Sequence, residues 1–115
     1  MLSFLPRSAP RSLALRFPVI DLDLMDFRDL TPIGVETVLA VPVAAGTRQI
    51  LEILTTSGAA IVADVRAVQC RPMPAIPDGW TFAVTWEFVS DDELEGRIRA
   101  ALDASALETA NDVWH

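Results

Sequence analysis

The chain contains no lysine: all nine basic residues are arginines, set against sixteen acidic ones for a net charge of −7. That balance excludes nonspecific attraction to a nucleic-acid backbone, so no nucleic-acid polymer is expected as a partner. Histidine is nearly as scarce. His115 is the only one and the last residue, which leaves no Ser-His or Cys-His couple on a rigid element. No catalytic residue is assigned, and the chain does not read as an enzyme. The single cysteine, Cys70, rules out an internal disulfide and a multi-cysteine metal site, and reads as a buried structural thiol. The five glycines are scattered, so there is no Gly-rich phosphate loop. No apolar run approaches the roughly 18 to 20 residues that cross a bilayer. The expectation is a soluble, cytoplasmic protein without a membrane span, a monomer by default, and without a metal or cofactor.

What is present suffices for a core. Of 115 residues, 51 % are apolar, enough for one domain without staples. No internal repeat, low-complexity block or linker divides it. Apolar residues alternate at Leu13, Leu15, Phe17 and Val19, and again at Ile20, Leu22 and Leu24 with Asp21 and Asp23 between them. The period slips at Met25 and resumes at Phe27, which predicts a bulge near residues 24 to 26. A turn at DLTPIG follows, because Pro32 presets φ, Thr31 is pushed towards an extended shape and Gly34 suits the end. Val35, Thr37, Leu39 and Val41 alternate next, PVAAG turns the chain, and RQILEIL is a further strand closed by Ser57 and Gly58. AAIVADVRAVQC reads as one long, bent strand, and TFAVTWEF puts Phe82, Val84, Trp86 and Phe88 on one face. Between them RPMPAIPDG, with three prolines, reads as a stiff loop over 71–79.

The period then changes. Ser90 and Glu93 are spaced as a capping box, Asp91 and Asp92 suit the positive end of a helix, and Leu94, Ile98, Ala101 and Leu102 form one stripe. A helix over about 91–109 is predicted. The fold class is mainly β: a small antiparallel β-barrel of about six strands with one C-terminal amphipathic α-helix. Residues 1–12 read as a flexible basic arm, 13–110 as the barrel domain with its helix, and 111–115 as a tail. Asp21 and Asp23 form a DxD, for which a solvated strand face is the simpler account than a cation site. Trp86 should be buried. Trp80 can stack on a base, although packing is the simpler account, and neither tryptophan is assigned to the site.

The order of features carries the functional reading. The first 20 residues hold Arg7, Arg11 and Arg16 and no acidic residue, so a cationic arm precedes an acidic body. RSAPR is followed by SLALRFPV, then by a strand ending in DLTPIG, then by more strands and a helix. This order resembles the PilZ family, whose signature is an RxxxR arm followed by a [D/N]xSxxG turn. Arg7 and Arg11 match the arm; Asp29, Thr31 and Gly34 match the turn. The resemblance extends through GVETVLAVPVAAGTRQILEIL and VADVRAVQC into TFAVTWEF and its helix, nearly the whole chain. Thr31 stands where the family usually has serine, Thr85 where a glycine often precedes the final aromatic of that strand, and the interval from Arg11 to Asp29 is short.

The resemblance implies binding of cyclic di-GMP, a bacterial second messenger with two phosphates and two guanines. An arginine fork suits guanine O6 and N7 or phosphate oxygens and stacks on a base. Asp29 suits the guanine donors, Thr31 a phosphate or base, and Gly34 a close backbone approach; Arg28 is an auxiliary contact. The implied mechanism is an arm that orders over the ligand and is then read by an unidentified protein partner. The alternative is a degenerate PilZ-like adaptor that works through protein contacts without cyclic di-GMP.

Overall fold

The computed structural model describes residues 13–55, 57–75, 77–89 and 91–113, with side chains described as far as residue 106. Six antiparallel strands curl into a nearly closed barrel, followed by one C-terminal helix. The strands are β1 (Leu13–Arg16), β2 (Leu24–Thr31), β3 (Gly34–Leu39), β4 (Arg48–Thr55), β5 (Ala60–Pro74) and β6 (Trp80–Phe88), and the helix is α1 (Asp92–Val113). Their order in the sheet is β1-β4-β5-β6-β3-β2.

The period-two pattern is what fills the barrel. Leu13 and Leu15 from β1, Leu51 and Ile53 from β4, Ile61, Ala63, Val65 and Ala67 from β5, and Val84, Trp86 and Phe88 from β6 all point inward and are buried. Thr37 breaks the apolar rule on the same face. Its hydroxyl accepts from Trp86 Nε1 at 2.8 Å and donates to the Val84 carbonyl at 3.4 Å, so two buried polar groups satisfy each other. Phe17 tilts against Trp86 with ring centroids 5.2 Å apart. On α1 the expected stripe faces the barrel: Ile98 is buried, and Leu94, Ala101 and Leu102 are half-buried against the core.

Several expectations need correction. β1 stops at Arg16, because Pro18 cannot donate to a ladder. Phe17 and Leu22 still reach the core, but Val19 is 69 % exposed, and Asp21 and Asp23 lie in a loop instead of on a strand face. There Asp21 Oδ1 accepts from the Asp23 amide at 2.8 Å, which accounts for the DxD without a cation. The anticipated bulge is found between Leu24 and Asp26.

The Pro-rich segment is not a loop throughout, since β5 runs on through Pro72 and Pro74, paired with Phe82 and Trp80. Pairing with β4 ends at Arg66 and Ala67 makes the last bonds on that side, with Gly46 and Thr47, so beyond Ala67 β5 has an open edge among the described residues. The Ala75 amide donates across the hairpin to Gly79, which puts odd-numbered amides towards β6 and the two proline nitrogens towards that open edge. Trp80, at the same hairpin, is 61 % exposed and not packed. Cys70 is half-buried, not fully buried. Asp91, where Ser90 was expected, caps α1: its Oδ1 accepts from the Leu94 amide at 2.9 Å, and Ser90 lies outside the described residues. With no glycine or proline after Gly96, the helix continues to Val113, past the expected end at 109.

Strand direction decides what meets at the barrel's ends. Because each neighbour is antiparallel, the start of β1, the end of β2, the start of β3 and the end of β6 fall at one end, with the start of α1 just beyond. The chain before Leu13 therefore joins the barrel at the end that carries DLTPIG.

Candidate ligand-binding site

The hairpin between β2 and β3 is held by its own threonine. Thr31 Oγ1 accepts from the Ile33 amide at 3.2 Å and the Gly34 amide at 3.3 Å, and its hydroxyl lies 3.4 Å from the Gly34 carbonyl. The Phe88 amide donates to the Ile33 carbonyl at 3.0 Å and ties the turn to the end of β6. Gly34 is required by sterics within the sheet. A Cβ there would stand 2.3 Å from the Trp86 carbonyl oxygen, so β3 and β6 approach each other where only glycine fits. Thr31 and Gly34 thus serve the turn and the strand crossing before any ligand is considered.

Asp29 is different. It lies in a register shift between Arg28 and Thr31 with φ of 55°, the left-handed region that aspartate tolerates better than most residues. Its carboxylate is exposed and makes no hydrogen bond or ion pair among the described residues. A backbone held in a sparse conformation with an unspent charge is the feature of this turn that local folding does not use.

Beside it lies an open cavity of about 310 Å³, at the lower end of the range for small-molecule sites. Its walls include Asp29, Thr31, Ile33 and Gly34 from the turn, Glu36 from β3, Val68 from the β5 irregularity, and Thr85 and Glu87 from β6. Thr85 lies opposite Glu36 and Glu87 opposite Gly34, so the sheet register builds this face. Three carboxylates and two hydroxyls are set among the apolar side chains of Ile33 and Val68. Guanidiniums pair with two of these carboxylates: Arg28 Nε lies 2.5 Å from Glu36 Oε1, Arg71 Nη2 lies 3.9 Å from Glu36 Oε2, and Arg66 pairs with Glu87.

Of the residues expected from sequence, Asp29, Thr31 and Gly34 line this cavity, and Arg28 stands next to it through Glu36. Arg7 and Arg11 lie outside the described residues. Trp80 begins β6 while the cavity sits at the other end of that strand, so it takes no part. Glu36, Val68, Thr85 and Glu87 were not anticipated. They are separated in sequence and converge only through the β3-β6 pairing and the irregularity between Ala67 and Gln69. Among the described residues there is no group of three or more His, Cys, Asp or Glu placed to hold a metal ion, and no helix long and apolar enough to cross a membrane. No family model, curated protein or solved structure matches the chain.

Proposed function

We propose that the chain is a PilZ-like effector that binds cyclic di-GMP at the cavity beside DLTPIG and passes the signal to a protein partner. The observation that carries this reading is the placing of Asp29, with its unspent carboxylate, at the barrel end from which the arm bearing Arg7 and Arg11 departs. Arg11 is two residues before Leu13, and Arg7 is within about 20 Å of it even for a fully extended chain. Asp29 accepts from the Watson-Crick donors of one guanine, Ile33 and Val68 flank the ring, and the arm arginines meet phosphate and the second base. Arm closure changes the surface offered to the partner in a bacterial cytoplasm.

Calorimetric titration with cyclic di-GMP tests the reading. The wild type binds with micromolar or tighter affinity, and an Arg7→Ala, Arg11→Ala variant of intact fold loses the binding. Absence of heat, together with no binding by a second probe, would overturn it.

A second reading, an adaptor that has lost the ligand, is favoured by two observations. The Thr31 hydroxyl is committed to its own turn, and Glu36 and Glu87 add negative charge to a site meant for a dianion. Partner capture that is indifferent to cyclic di-GMP distinguishes it.

A further inference from the structure

The charges around the cavity are coupled across four strands. Arg28 and Glu36 are opposite each other in the β2-β3 register, the ordinary arrangement for a cross-strand pair. Arg71 is not an ordinary neighbour, because it belongs to β5 and reaches Glu36 across the intervening β6. One carboxylate therefore faces two guanidiniums, so these three side chains together carry +1 on a chain whose net charge is −7. Arg28 Nε is buried and lies against Glu36 Oε1 off the N–H axis, so the pair makes charge contact without a well-aligned hydrogen bond. The arginine side chains are 38 % and 55 % exposed while Glu36 is 20 % exposed, so the cations are open to solvent and the carboxylate sits beneath them. A guanidinium carries five donors and a bidentate carboxylate takes two of them, which leaves each fork with donors to spare.

We infer that Glu36 is an internal competitor for a phosphate group, and that Arg28 and Arg71 form an anion clamp at the rim of the cavity. An incoming phosphate takes the place of the carboxylate between the two guanidiniums, and Glu36 turns towards solvent. Arg28 precedes Asp29, so this exchange of partners occurs next to the residue held at positive φ and links anion binding to the turn. The affinity of the clamp is set below what two free arginines would give, since part of each charge is already neutralised. This inference rests on the reading above for the side of the turn at which the phosphate lies. A probe without a base separates the two.

Inorganic pyrophosphate at low ionic strength is titrated into the full chain, into Glu36→Gln and into Glu36→Gln, Arg71→Ala. Glutamine keeps the shape and removes the competing charge. The expected result is pyrophosphate binding about fivefold tighter in Glu36→Gln than in the wild type, with a steeper loss on adding salt. The gain disappears when Arg71→Ala is added. Unchanged or weaker binding by Glu36→Gln, or a gain that survives Arg71→Ala, overturns the clamp. If far-UV circular dichroism shows that Glu36→Gln is unfolded, Glu36→Asp, which retracts the carboxylate from both arginines, must show a smaller gain of the same sign. A pyrophosphate gain in a protein that ignores cyclic di-GMP keeps the clamp and removes the nucleotide reading. Cyclic di-GMP binding without that gain does the reverse.

Discussion

Replacing Gly34 by alanine separates a structural role from a ligand role. The new Cβ would meet the Trp86 carbonyl oxygen at 2.3 Å, well inside the 3.0 Å below which Cβ contacts essentially never occur. The obstructing atom is backbone, so no rotamer change relieves the clash and the two strands must part. Trp86 carries the strain inward, because its Nε1 donates to Thr37 at 2.8 Å and its ring packs on Phe17. Overpacking of this kind costs about 1 to 3 kcal/mol, and a weakened buried hydrogen bond adds about 1 kcal/mol. At roughly 4 °C per kcal/mol for a domain of this size, Gly34→Ala should lower Tm by about 10 °C. Thermal unfolding followed by far-UV circular dichroism and by tryptophan emission measures the shift. A Tm within about 2 °C of wild type refutes the steric argument. If cyclic di-GMP binding were lost at that unchanged Tm, Gly34 would belong to the ligand.

Further outcomes follow from single groups. Thr37→Val keeps the shape but strands the Trp86 indole N–H in the core, and should destabilise by about 1 to 3 kcal/mol in urea unfolding. Asp91→Ala removes the cap on the Leu94 amide and should cost about 1 kcal/mol in the same assay. Asp29→Asn tolerates the positive φ and stays within the turn signature, so stability should stay within about 0.5 kcal/mol and cyclic di-GMP should still bind, whereas Asp29→Gly, which keeps the φ and removes the acceptor, should lower the affinity at least tenfold by calorimetry. Thr31→Ser preserves the hydroxyl that closes the turn and should leave Tm unchanged, whereas Thr31→Val should lower it.

Legibility in the sequence followed how local each cause was. TFAVTWEF announced its inner face because alternation is a property of the segment itself, and Val84, Trp86 and Phe88 are buried as that alternation requires. The slip at Met25 likewise marked a real irregularity. Pro18 ended β1 earlier than the apolar pattern suggested, since hydrophobic period says nothing about a missing donor. Pro72 and Pro74 erred in the opposite direction. A proline is tolerated in a strand when its nitrogen faces an open edge, and that edge exists only because β4 stops pairing at Arg66.

The site divided along the same line. DLTPIG was readable as a turn, and Asp29 as a candidate within it. Glu36 and Glu87 were silent, because a glutamate on a solvent-facing strand has no local mark that distinguishes it. Only register places Glu36 between Arg28 and Arg71, and only the Gly34 to Glu87 pairing brings Glu87 to the turn. Thr31 shows the complementary case, a residue that fits a binding motif and is accounted for by its own hairpin.

The most direct test of the central claim is an amide-resolved NMR titration of the full chain with cyclic di-GMP. The account predicts shifts concentrated at residues 28–36, at 66–69 and at 85–87, with the Trp80 indole at the far hairpin unmoved. No shifts at saturating ligand, or shifts centred on Trp80 and the β5-β6 hairpin, would contradict it.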